Sequence, residues 1–252
     1  LTALFVFLRP LGLRLPADVF TYVNGGGKMP KSAAANLVEY AEFFGNYTGD
    51  YDAVIHISVS SKLSSCYQNA KLAAEDFANV YVVDSQTAAI GTGILAEYAL
   101  SCVDAGMPAD VIAAQLEQKR EDVCLVALLD TLEYLQKGGR IGKVTAMAGT
   151  MLQIKPILTF AEDGQLQSIA KVRGHQQVMK KLAELVQNRK GAHRRFNLAV
   201  ANGGSPEEME KLREQVASLL PGWEHFWDGE IDGTLSVYIG DGVLGAAVQV
   251  LD

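Results

Sequence analysis

The chain has 252 residues, 49% hydrophobic and 20% charged, with a formal net charge of −7. That acidic balance excludes the basic footprint of a nucleic-acid backbone partner, and no run of about 18 apolar residues is present to span a membrane. Cys66, Cys102 and Cys124 are odd in number and form no CxxC pair, the usage of a reducing compartment, so a cytoplasmic location is expected.

The opening LTALFVFL has no basic residue before it and is followed by Arg9 and Pro10, which fits a buried strand better than a signal peptide. GGGKMPKSAAANLVEYAEFF (25–44) is a glycine-rich loop leading into a helix, with Ser32 near its start. It matches neither GxGxxG nor a Walker pattern, so nucleotide binding is not indicated. YDAVIHISV (51–59) reads as a strand, and QNAKLAAEDFA (68–78) as a helix. Between them five serines, Ser58, Ser60, Ser61, Ser64 and Ser65, crowd one turn. A strand running through a polar turn into a helix start offers unpaired N–H groups and the positive end of a dipole, a natural seat for a carboxylate or phosphate. Ser65 with Gln68 also fits a capping box, whereas Ser64 is better placed for a ligand.

NVYVVDS (79–85) predicts a second strand, 94–106 a helix closing at Gly106, and 108–122 another helix with Pro108 in its first turn. VCLVALLD (123–130) reads as a strand and TLEYLQKGGRIG as a helix stopped by Gly138-Gly139, with Lys137 and Arg140 as cations compensating the helix end. From about residue 152 the pattern changes. IKPILTF and LQSIAKVRG are two strands joined by an Asp163-Gly164 turn; a helix (175–190) and a strand (196–202) follow. Ser205 and Glu208 are spaced as a capping box for the next helix, and 234–251 reads as two strands around Gly240-Asp241-Gly242.

The predicted class is therefore α/β: a Rossmann-like, mainly parallel sheet domain over 1–152, then a smaller α+β domain with a mixed sheet over 153–252. The four histidines are scattered, with no metal-ligand spacing and no cofactor motif. An alternative reading makes the Ser64–Cys66 turn the nucleophile and anion site of a small-molecule hydrolase or transferase. It needs a general base within reach, and His56 is the only local candidate.

Taken in order, "SSKLSSCYQNA", "VYVVDS", "LEYLQKGGRIG", "IKPIL" with "DG" and "VRG" after it, and "GDGVLG" resemble the DegV family of fatty-acid-binding proteins, over roughly residue 17 to the end. The resemblance implies a long-chain fatty acid between two domains, presented to a separate fatty acid kinase for phospholipid synthesis. It implies no bond chemistry in the binding protein itself and no cofactor beyond the bound lipid. Carried over residue by residue, it makes Ser64 and Ser32 carboxylate ligands, with Ser65 and Tyr238 as further candidates. Arg173 falls at the ligand mouth or on a partner-facing surface. Four positions depart from the family pattern: Ser65-Cys66 stands for Gly-Thr, Ala33 for a hydroxyl residue, and Tyr238 for a histidine found in many members. The family's opening strand with its Asp-Ser motif is not recognisable in residues 1–16.

Overall fold

Val54–Ser58 (β1) and Val80–Asp84 (β2) pair in parallel, in the register Val54 to Val80 through Ser58 to Asp84. Their alternating side chains feed two separate cores. Val54, Val80 and Val82 pack under Leu37–Thr48 (α2) and Cys66–Ala74 (α3), around Tyr40, Phe44, Cys66 and Ala70. Ile55, Ile57 and Val83 pack on the other face against Ala89–Asp104 (α4) and Ala109–Lys119 (α5), around Leu95, Cys102, Ile112 and Leu116. Covering both faces is the usual condition of a parallel sheet. The computed structural model describes residues 14–147 and 154–252. The opening LTALFVFL and the expected division at residue 152 lie outside the described residues. So does part of the family's opening-strand region; its later part, from Pro16, begins the helix Pro16–Asn24 (α1).

The second sheet has six strands: Val123–Leu128 (β3), Ile154–Phe160 (β4), Leu166–Arg173 (β5), Phe196–Asn202 (β6), Phe226–Glu230 (β7) and Leu244–Val250 (β8). Their order is β5-β4-β3-β8-β6-β7, antiparallel throughout except for the parallel pair β6–β7. The helices His175–Lys190 (α7) and Pro206–Leu219 (α8) cover one face, where Val178, Leu182, Val186, Leu212 and Val216 meet Val126, Leu198, Val200 and Val248.

An α/β fold with one parallel and one mixed sheet is thus present, with the proportions reversed: the parallel sheet is small and the mixed sheet large. The reason is β3. Its apolar run suits either sheet, yet it pairs antiparallel with β4 and β8 near the middle of the large one. By sheet membership the chain changes sheets between β2 and β3, well before residue 152. A second correction concerns 234–251, where only β8 is a strand. Gly233–Ile239 forms a helix (α9), because the Asp232 carboxylate accepts from Leu235 N–H at its start and Gly240, at φ +83°, ends it. The capping boxes at Ser65 and Ser205 do not form: neither hydroxyl makes a cap bond. The box that forms is Asn36 with Glu39, at the start of α2.

The two sheets share α4. Its Leu95 and Cys102 belong to the core of the parallel sheet, while Ile94 packs on Leu125, Ala199 and Ala247 of the mixed sheet. A helix apolar on both sides must be buried on both sides. Leu95→Ala, at a fully buried position, is expected to cost about 2–5 kcal/mol in urea unfolding. Both tryptophans, Trp223 and Trp227, lie beside the mixed sheet. Their fluorescence and far-ultraviolet circular dichroism should nonetheless report one coincident transition, since removing α4 from either sheet uncovers the other.

Candidate functional site

Where β1 ends, the chain turns through the serine cluster into α3, and Ser60, Ser61 and Ser64 each make a separate contact. Ser60 Oγ donates to the carbonyl of Gly164 at 2.7 Å, tying this turn to the tip of the β4–β5 hairpin. Gly164 has φ +77°, and a Cβ there would fall 2.6 Å from Ser60 Oγ, so the glycine is needed for both the turn and the approach. Ser61 N–H donates to Asp84 Oδ1, joining the turn to the end of β2. Ser64 Oγ accepts from Cys66 N–H at 3.2 Å and donates to Cys66 Sγ at 3.0 Å. Ser64, not Ser65, therefore bonds the first N–H of α3.

Ser64 also faces a narrow cavity between the two sheets. One end is polar and built from three places: Ser32 in the loop before α2, Ser64, and Tyr238 on α9. Ser32 Oγ and Tyr238 Oη lie 2.6 Å apart and share one hydrogen bond, although 206 residues separate them. Apart from Arg140 and Thr159 the rest of the lining is apolar, with Leu125, Leu129, Leu158, Phe160, Ile231 and Val243 from the mixed sheet and its connections. Ser65 is exposed at the start of α3 and is not in the lining. Arg173 is exposed at the end of β5, also away from the cavity.

The residue that sequence reasoning missed is Arg140. It follows the short helix Glu133–Lys137 (α6) and its two glycines. The sequence assigns it a local task, compensating a helix end, but its side chain turns into the cavity. Nε donates to the Leu63 carbonyl at 3.0 Å and Nη1 to the Gly138 carbonyl at 2.7 Å. The guanidinium carbon stands 4.9 Å from the centre of the Tyr238 ring. None of the ion pairs among the described residues includes it. Two of its five N–H groups are used in these bonds, so three remain for a ligand. The "GGRIG" string was the available signal, since Gly138 leaves room for Tyr238: a Cβ at 138 would fall 2.5 Å from the ring.

Among the described residues no hydrogen bond joins His56 to the Ser64–Cys66 turn. Its ring lies edge-on to Tyr40 and Phe44, and it lines a second groove along β1, which Cys66 also lines. Burial pushes its pKa down to about 4, a poor setting for a general base at neutral pH. Among the described residues no three His, Cys, Asp or Glu side chains converge on a metal position, and no helix is long and apolar enough to cross a membrane.

A small parallel sheet and a larger mixed one, sharing a helix and enclosing an apolar cavity with a cationic, hydroxyl-lined end, define a two-sheet α/β protein. Comparison with known proteins narrows the class. The family model described as "Uncharacterised protein, DegV family" matches residues 16–250, and the chain belongs to the DegV family. A DegV domain-containing protein of Clostridium acetobutylicum is 32% identical over 200 residues, covering 79% of this chain and 71% of its own length. A DegV family protein from Thermus thermophilus, described by its fatty acid binding, superposes with a TM-score of 0.88 at 27% identity, over 94% of this chain and 85% of that one. A third, from Eubacterium eligens and loaded with heptadecanoic acid, shares the fold with a TM-score of 0.79 at 20% identity, over 92% and 84% of the two chains.

Two outcomes follow from this geometry. Gly138→Ala should displace the Tyr238 ring and break its bond to Ser32, lowering stability by about 1–2 kcal/mol despite alanine's better helix propensity; denaturant titration reads the loss. His56 binds its proton less readily folded than unfolded, so between pH 6.5 and about 4 the unfolded chain holds more protons and stability is lost as the pH is lowered. The loss across that window is up to about 3 kcal/mol. In the His56→Phe variant the same window should be nearly flat.

Proposed function

We propose that the protein binds a long-chain fatty acid, with the acyl chain in the apolar cavity and the carboxylate at its polar end. The observation that carries this reading is Arg140, a cation with unused donors at the end of an otherwise apolar cavity. Leaving such a charge against apolar walls is costly, and an anionic headgroup offsets that cost. The Ser32–Tyr238 pair keeps one hydroxyl hydrogen to donate, and Ser64, also in the lining, donates to a carboxylate by turning its hydrogen away from Cys66 Sγ. Tyr238, in place of the histidine of many relatives, carries no positive charge; Arg140 supplies it. Ser65, being exposed, is at most an indirect contributor through the start of α3.

Acyl burial supplies the bulk of the affinity. At about 0.8 kcal/mol per buried CH2, a C16 chain represents on the order of 10 kcal/mol of gross transfer free energy, before association costs are subtracted. The cavity is tight, about 130 Å³, so seating the chain requires the lining Leu and Ile side chains to change rotamer. The fatty-acid-binding description of the Thermus thermophilus relative supports this assignment.

In this reading Ser32 and Ser64 of the smaller-sheet part and Arg140 and Tyr238 of the mixed-sheet part hold the carboxylate, and the mixed-sheet part encloses the chain. The protein is a cytoplasmic carrier that performs no bond chemistry. It presents the headgroup to a separate fatty acid kinase, with the exposed Arg173 as a partner-facing cation on the β5 edge.

Native mass spectrometry of the purified protein, followed by lipid extraction, is expected to yield one C14–C18 fatty acid per chain. An empty protein that also takes up neither oleate nor palmitate would overturn the reading. Arg140→Gln should weaken palmitate binding by about 10- to 100-fold, the worth of a charge-assisted hydrogen bond. It should leave binding of the corresponding fatty alcohol nearly unchanged, and Ser64→Ala should weaken palmitate binding less.

A further inference from the structure

The inner face of the mixed sheet is a ladder whose rungs change character along the cavity. Alternate residues of a strand share a face, so successive rungs stand about 6.7 Å apart. The first rung pairs Ala127, Gly245 and Ala201 across β3, β8 and β6, and all three line the cavity. The second pairs Leu125, Ala247 and Ala199. Leu125 still lines the cavity, but Ala247 and Ala199 are buried in a cluster with Ile94 of α4. The third pairs Val123, Gln249 and Asn197. There Asn197 Nδ2 donates to Gln249 Oε1 at 3.4 Å, and both amides are buried. The floor of small side chains is thus two rungs long, and the cavity uses the first.

α4 is in step with this ladder. Ile90 and Ile94 are one turn apart, about 6 Å along the helix axis, close to the rung spacing. Ile90 lines the cavity over the first rung, where a Cβ at Gly245 would lie 3.7 Å from Ile90 Cδ1 and 3.8 Å from Leu125 Cδ1. Ile94, fully buried, packs on the second rung. Tyr238 packs with Leu129, Leu135 and Val243, so the polar end lies at the opposite end of the ladder from Ile94. We propose that Ile94 is the end stop of the cavity and sets the longest acyl chain that fits, an inference that rests on the fatty-acid reading above. A chain entering beside Arg140 passes Leu129 and Ala127 and meets Ile94 at the second rung. Trimming Ile94 opens one rung, at least about four C–C bonds of extra length. The amide rung beyond it confines the gain to that length.

Competition between stearate (C18) and myristate (C14) for the full chain tests this, because the ratio within one protein does not depend on how much of a variant folds. Ile94→Ala should shift the ratio about 10-fold or more toward stearate, and the milder Ile94→Val about 3-fold. Gly245→Ala adds a methyl that meets only ordinary contacts, so it should fold and shift the ratio about 3-fold toward myristate. Unchanged ratios in both Ile94 variants, with the unaltered chain still binding either acid, would overturn the end stop and leave the fatty-acid reading standing. A shift in Gly245→Ala alone would move the stop to Ile90 and Leu125. An unaltered chain that binds neither acid would overturn both.

Discussion

The structure turns on one cation. Arg140 is held by a carbonyl of the serine turn, a carbonyl of the α6 end and the ring of Tyr238 on α9, three segments that share no secondary structure. A guanidinium brought beside an apolar cavity has to recover the hydration it loses. Two carbonyls and an aromatic face recover part of it and fix the plane of the group. The same contacts that keep the charge in place therefore define which end of the cavity is polar, and they draw Leu63 and Ser64 against Tyr238 and Ser32.

Around that point the fold supplies rigidity from two directions. α4 is apolar toward both sheets, so neither sheet is covered without it. The Ser60–Gly164 bond adds a polar tie at the rim, between the serine turn and the β4–β5 hairpin. Cavity residues from the smaller-sheet side, such as Ser32 and Ser64, and wall residues from the mixed sheet thereby keep a fixed spacing, although the chain between them is long.

Much of the scaffold was legible from local pattern. β1, the serine turn, α3, the Asp163-Gly164 hairpin and α8 all carry period or turn chemistry that needs no tertiary information. β3 was legible as a strand but not as a member of the mixed sheet, because a short apolar run has the same composition in either. TLSVYI reads as a strand by its β-branched content, yet it is a helix because Asp232 caps it and burial on α1 and α6 favours that shape. FWDGE, polar and glycine-bearing, gave no strand signal, and it forms the outer strand β7. The site divided the same way. Ser32 and Tyr238 were reached only through a family resemblance, since no local rule links positions 206 residues apart. Arg140 was hidden by a sufficient local explanation: a cation after a glycine stop already has a reason to exist.

The double burial of α4 has a kinetic side. With one helix serving both sheets, the walls of the cavity cannot swing apart as two rigid bodies. A molecule seated between them has to leave through local openings of side chains and of the hairpin rim. Residence time is then governed by how often that rim breathes, and affinity by how much surface lies beneath it. The rim and the walls are different residues of this chain, so a change at the rim alters how long a bound molecule stays without altering the surface it lies against.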